Sequence, residues 1–183
     1  MARIGIIVGS LRKDSVSKKL AATLAGLFPN GYETDTIEIG NLPHYNEDLD
    51  AGSNVPAEYV AFRNKMKNID AVLFVTPEYN RSIPGVLKNA LDVGSRPYGE
   101  SIWNGKPAAI VSQSPSNLSG FGANHHIRQT LTFLNMPVLQ QPEAYIANSF
   151  GLFDENGKMN NAETLQFLQS VVDAFVELTK KYS

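Results

Sequence analysis

The residues best placed to do chemistry lie between positions 9 and 17, Gly9-Ser10-Leu11-Arg12-Lys13-Asp14-Ser15-Val16-Ser17. The apolar run Ile4-Gly5-Ile6-Ile7-Val8 leads into them, and Leu20, Ala21, Leu24 and Leu27, at helical spacing, lead out. The pattern is a buried strand, a hydroxyl-rich loop and the start of a helix. The first N–H groups of a helix have no intrahelical partner and favour an anion. Ser10, Ser15 and Ser17 can add donors, by side chain or backbone. Arg12 can add a charge-assisted, bidentate contact. The stretch reads as a phosphate cradle; the alternative is an ordinary helix cap. It is not a P-loop, since no Lys-Ser/Thr pair closes a G-x-x-x-x-G spacing, and it lacks the G-x-G-x-x-G of dinucleotide folds.

A second stretch, Thr76-Pro77-Glu78-Tyr79-Asn80-Arg81-Ser82-Ile83-Pro84, combines two stiffening prolines with a flat aromatic ring and several polar groups. Such a loop can border a planar heterocycle whose phosphate sits at the first loop. Read alone, it can equally be a rigid connection with Tyr79 covering a neighbouring helix. His125 and His126 are adjacent on an expected helix and therefore point about 100° apart. No third ligand stands at metal spacing, so no metal site is expected. His44 falls in a loop. Trp103 follows Arg96-Pro97-Tyr98-Gly99, where it could roof a ligand or pack at a subunit contact.

The elements that would position these groups alternate along the chain. Strands are expected at positions 4–8, Tyr32 to Ile39, Ala71 to Val75, Ala108 to Val111, and within Pro137 to Ile146. Helices are expected after Ser17, over Pro56 to Asn68, from Pro84, around Ile127 to Leu134, and along Leu165 to Leu178. Gly40 to Pro56, Gly94 to Gly105 and Ser112 to Gly122 read as loops. This is an α/β pattern with a five-stranded parallel sheet and helices on both faces. The flavodoxin-like order 2-1-3-4-5 suits it. In that order the switch point lies between strands one and three, so the loops at 9–17, 76–82 and 112–122 converge there.

At 183 residues, with 43% hydrophobic and 19% charged residues, the chain suits one domain spanning 1–183. A net charge of −2 gives no basic footprint for nucleic acid. The absence of cysteine excludes disulfides, Fe–S clusters, thiolate zinc sites and catalytic thiols, and fits a reducing compartment. No apolar run is long enough to span a membrane and no signal-peptide pattern is present, so a cytoplasmic protein is expected.

Gly9-Ser10-Leu11-Arg12 with Ser15 and Ser17, followed by Pro77-Glu78-Tyr79-Asn80-Arg81-Ser82-Ile83-Pro84-Gly85-Val86-Leu87-Lys88-Asn89-Ala90-Leu91-Asp92, resembles the NAD(P)H-dependent FMN reductases. That family includes bacterial quinone, chromate and azo-dye reductases. The resemblance implies a flavodoxin-like fold with non-covalent FMN and with NAD(P)H as co-substrate. It implies that Ser10, Arg12, Ser15, Val16 and Ser17 hold the 5′-phosphate. Pro77, Glu78, Tyr79 and Asn80 would line the isoalloxazine, with Ser82 in support, and Ser114 and Gly120 would border it from strand four. Ser17 stands where the family often carries Asn, and no Arg follows the Gly120-Phe121-Gly122 stretch where the family often has one.

The implied reaction moves electrons from the nicotinamide to FMN and on to a small-molecule acceptor. A single open flavin face would give ping-pong kinetics, and no side chain need act as acid or base. The resemblance also implies a homodimer or homotetramer. Three other readings stay open: a flavodoxin-type electron carrier, against which the weak charge speaks, an FMN-binding redox sensor that does not turn over, and a site that binds some other phosphate and no flavin.

Overall fold

The computed structural model describes residues 1–52 and 54–182. Its five strands are β1 (Ala2–Val8), β2 (Tyr32–Ile37), β3 (Ala71–Pro77), β4 (Ala108–Gln113) and β5 (Ala144–Ile146), all parallel in the order β2-β1-β3-β4-β5. This is the expected flavodoxin-like sheet. The central strands are apolar almost throughout because both of their faces are covered. Successive side chains alternate between two cores. Ile7, Phe74 and Ile110 pack on one side, under α3 (Ala57–Lys67), α4 (Gly85–Gly94) and α5 (Phe121–Phe133). Ile6, Leu73 and Ala109 pack on the other, under α1 (Val16–Ala25) and α6 (Ala162–Lys180).

Some expected bounds shift: β4 runs on through Ser112 and Gln113, which the sequence pattern places in the loop 112–122. The second strand ends at Ile37 rather than Ile39. The stretch 40–56 contains a short helix, α2 (Glu47–Asp50), held by Arg63, whose two terminal nitrogens donate to the Asp50 carboxylate at 2.8 and 2.6 Å. The last strand, expected within 137–146, is Ala144–Ile146, with Val138 bridging Ala108 separately. Pro142, between those two contacts, has no N–H to offer a ladder, and the run breaks there.

Trp103 neither roofs a cleft nor faces a partner. It is fully buried, its indole Nε1 donates to Leu91 O at 2.9 Å, and its ring lies 6.1 Å from those of Phe62 and Phe74. Truncating a buried aromatic to Ala generally costs about 3–5 kcal/mol, so this residue is committed to packing. Asn89, inside the second motif, is also structural. It accepts from Tyr45 N at 2.7 Å and donates to Pro43 O at 2.9 Å, which pins the 40–56 stretch against α4.

Candidate active site

The parallel sheet brings the C-terminal ends of β1, β3, β4 and β5 to one edge. Gly9 N donates to Val75 O at 2.9 Å, so the first loop leaves the sheet beside the second. Ser15 caps α1 with extended backbone (φ −79°, ψ 128°), and the helical bonds open with Lys18 and Lys19 N–H donating to Ser15 O. The N–H groups of Val16 and Ser17 precede those bonds and remain available to an anion. Arg12 is exposed beside them and, among the described residues, forms no ion pair.

The second loop is a tight turn. Tyr79 and Ser82 exchange backbone bonds of 2.9 Å each, and Asn80 and Arg81 between them have φ of 50° and 67°. Positive φ at both central residues defines a type I′ turn, which suits Asn and is less favourable for Arg. Glu78 holds this turn against α5. Its Oε2 accepts from Ala123 N at 3.1 Å, in the first turn of that helix, and its Oε1 accepts from Arg81 Nη1 at 3.2 Å. A carboxylate at a helix start is favourable in itself. The approach is close enough that a Cβ on Gly122 would meet Arg81 O at 2.7 Å, so glycine is required there.

The third loop leaves β4 at Gln113. Ser114 N donates to Ile146 O at 3.0 Å, and Gly120, at φ 75°, turns the chain into α5. A Cβ on Gly120 would come within 3.0 Å of Ser112 Cβ.

The three loops enclose a cleft of about 140 Å³ lined by Ser10, Arg12, Ser15, Val16, Pro77, Glu78, Tyr79 and Ser114 together with Gln113, Pro115 and Phe150. The first eight of these are residues singled out by sequence. Ser17, Asn80, Ser82 and Gly120 lie outside that lining. Ser17 is fully buried, with its hydroxyl accepting from Gln113 Nε2 at 2.9 Å, while Asn80 sits at the exposed turn tip. Ser82 Oγ is 2.8 Å from His126 Nδ1, facing a separate hollow between α4 and α5. Sequence reasoning missed Gln113, Pro115 and Phe150. Only Gln113 gave a signal, as a polar residue that with Ser112 closes the apolar run of β4.

Wider hollows exist elsewhere. One of about 260 Å³ between α1 and β2 is mainly apolar and has only Ser10 and Leu11 in common with the loop at 9–17. It lacks the guanidinium and the helix start that a phosphate requires, so the smaller cleft is the candidate site.

At the α5 end of the molecule, Phe121 packs on His125 and Tyr145 with ring centroids 4.2 and 5.4 Å apart, and Tyr145 OH is 3.1 Å from His125 Nε2. Burial, then the neighbouring Glu143, pushes the Tyr145 phenol up to about 12. Among the described residues no group of three or more His, Cys, Asp or Glu side chains could hold a metal ion.

A doubly wound parallel sheet with an anion cradle after β1 and a half-apolar cleft at the switch in strand order is the framework of a mononucleotide-binding, flavodoxin-like protein. The profile of the NADPH-dependent FMN reductases matches residues 2–151. A quinone reductase of Pseudomonas putida is 52% identical over 97% of this chain and 94% of its own length. A 2-hydroxy-1,4-benzoquinone reductase of a Burkholderia species is 43% identical over 94% and 93%. Among solved structures, the flavoenzyme NAD(P)H:(acceptor) oxidoreductase FerB of Paracoccus denitrificans is 39% identical and superposes with a TM-score of 0.91 over 100% of this chain and 99% of its own. The chain belongs to the NADPH-dependent FMN reductase family. It is thus an FMN-dependent oxidoreductase that draws electrons from NAD(P)H.

The cleft suits that cofactor on its own evidence. The unpaired Arg12, the hydroxyls of Ser10 and Ser15 and the open N–H groups of α1 match a phosphate, and Pro77, Tyr79, Pro115 and Phe150 offer apolar surface to a ring.

Proposed function

We propose that the chain is an NAD(P)H-dependent quinone reductase whose FMN lies in the cleft at 10–16, 77–79 and 113–115. Arg12, the hydroxyls of Ser10 and Ser15, and the N–H groups of Val16 and Ser17 hold the phosphate; a charge-assisted contact of the Arg12 kind contributes roughly 1.5–3 kcal/mol. Pro77, Glu78 and Tyr79 form one wall of the ring site, and Ser114, with Gly120 shaping its loop, forms the other. Ser17, Asn80 and Ser82 support these walls from behind. When bound, FMN supplies the two-electron chemistry that links nicotinamide to acceptor. The chain's own part is to bind, orient and exclude, and no side chain is assigned as acid or base.

Tyr79, 48% exposed at the mouth of the cleft, leaves one side open. Donor and acceptor use that side in turn, which gives ping-pong kinetics; double-reciprocal lines that intersect, from a ternary complex, would contradict this. Quinones are the acceptor class favoured by the resemblance to the P. putida and Burkholderia enzymes. Azo dyes, chromate and free flavin are further acceptors that an open flavin can reduce.

We place this function in a single cytoplasmic domain that works as a homodimer or homotetramer. No described helix is long and apolar enough to cross a membrane. Tyr98 and Phe133, 93% and 87% exposed beside one hollow, are aromatic side chains of the kind that subunit contacts use. Light scattering on the purified protein reads the oligomer directly.

The observation that carries this reading is the unpaired guanidinium beside an open helix start, at the switch point of the sheet. The test is the absorption spectrum of protein purified without added flavin, followed by NADPH or NADH without oxygen. A yellow protein bleached by either nucleotide, and recoloured by a quinone, is the expected result. A yellow protein that stays oxidised would make it a carrier or sensor, and a protein that takes up no FMN would overturn the site.

A further inference from the structure

Gln113 ends β4 at 5% exposure, between two wholly buried serines. Its Nε2 donates to Ser17 Oγ at 2.9 Å, and its Oε1 accepts from Ser149 Oγ at 2.6 Å. Ser17 lies in the first turn of α1, next to the N–H groups of the phosphate cradle. Ser149 opens a 3₁₀ turn, Ser149–Leu152, that follows Asn148 at φ 48°. That turn is tied to the loop after β4 by Ser149 N donating to Ser114 O at 3.2 Å and Asn148 Nδ2 donating to Asn117 Oδ1 at 3.2 Å. Its second residue, Phe150, is 62% exposed and lines the same cleft as Ser10, Arg12 and Tyr79.

A single buried carboxamide therefore spans the phosphate end and the apolar wall of one cleft. Buried polar groups that are fully satisfied fix a unique arrangement, because any other leaves an unpaired donor or acceptor in a low-dielectric interior. The core does not hold the Phe150 ring; the pinned turn does, and it aims a large apolar face at the cleft rather than away from it.

We infer that Gln113 is a positioning residue for the FMN cleft, acting through Ser17 on the phosphate cradle and through Ser149 on Phe150, and that Phe150 touches the bound flavin. This rests on the FMN reading above. Neither residue belongs to the two motifs on which the family resemblance stands. The two arms of Gln113 differ in what they reach. The Ser17 arm bears on the phosphate alone, and FMN carries it where riboflavin does not. The Ser149 arm bears on the ring and is common to both flavins.

The test uses the full chain, stripped of flavin and titrated with FMN and with riboflavin by fluorescence quenching. Wild-type affinity for FMN tests the FMN reading, and variant-to-wild-type ratios test the positioning; a wild type that does not bind FMN overturns both. Phe150→Ala should weaken FMN and riboflavin equally, by about tenfold, the factor that one lost aromatic contact carries. Gln113→Met, which keeps length and bulk but not the hydrogen bonds, should weaken both and cost FMN about tenfold more than riboflavin. Ser149→Ala should weaken both equally, and should add nothing in a Phe150→Ala background. Phe150→Ala leaving both affinities within about twofold of wild type would overturn the contact. Gln113→Met shifting both flavins by one common factor would overturn the positioning through Ser17. Where Gln113→Met does not fold, the exposed Phe150→Ala and the Ser149 pair decide the outcome.

Discussion

The turn at 77–82 and the turn at 148–152 border the same cleft from different strands, and they divide labour in opposite ways. The first carries the more distinctive side chains, yet Asn80, Arg81 and Ser82 lie outside the cleft lining and Glu78 also serves as a brace. Glu78 anchors α5 and pairs with Arg81, and Ser82 faces His126. What the cleft receives from that stretch is Pro77, Glu78 and the Tyr79 ring. The second turn carries no motif, and its bracing is hidden in the interior through Ser149 and Gln113, while Phe150 stands free at the lining. The lesson is that a conspicuous polar residue in a site loop can be a brace, while the surface a ligand meets can come from a residue with no sequence signature.

The largest effect is expected at Gly122. Gly122→Ala pushes a methyl into Arg81 O and Glu78 Oε2, and backbone cannot yield as a side-chain tip can. We expect a loss of about 1–3 kcal/mol, seen as a lower urea midpoint with an unchanged slope. An unchanged midpoint would mean that α5 does not need its close seat on the 77–82 turn.

Glu78→Gln should have a smaller effect. The amide oxygen still accepts from Ala123 N–H, but the charge at the helix start and the pairing to Arg81 are lost. Arg81 is 70% exposed, so the pair itself contributes little, and we expect a total loss of about 0.5–1 kcal/mol that shrinks at high salt. A salt-independent loss would assign the effect to shape rather than charge.

A third effect, confined to alkaline pH, lies at Tyr145. It stands on β5 just ahead of the 148–152 turn and reaches His125 on α5. Its folded value of about 12 lies above the ordinary 10.0, so above pH 10 the unfolded chain releases a proton that the folded one keeps. Its contribution is present below pH 10 and is lost as pH rises toward 12. Tyr145→Phe should flatten this part of the stability profile in thermal melts at stepped pH; an equally steep decline in the variant would place the effect elsewhere.

Much of the architecture is legible in the residues. The all-apolar runs at 4–8, 71–75 and 108–111 mark strands buried on both faces, and the alternation of strand with helix leads to the observed sheet order. That order is what brings three separate loops together. The interior destination of particular side chains is less legible. Ser17 belongs to a hydroxyl-rich loop by sequence, but the first turn of α1 rotates it inward to Gln113. Trp103 reads as a loop aromatic, and its burial depends on Gly94, where a Cβ would come within 2.5 Å of the indole nitrogen. Phe150 sits in a stretch with no periodicity, where only the folded turn shows which way the ring faces. Local pattern sets the elements; long-range contacts set which way their polar residues turn.

The cleft beside Arg12 is proposed to hold FMN by its phosphate. Stripped wild-type protein and Arg12→Ala, titrated side by side with FMN and riboflavin, test it most directly. Wild type should bind one FMN per chain and prefer it over riboflavin, and Arg12→Ala should narrow that preference by roughly 10- to 100-fold while leaving riboflavin affinity nearly unchanged. A wild type indifferent to the phosphate, or an Arg12→Ala variant with its preference intact, would contradict the account.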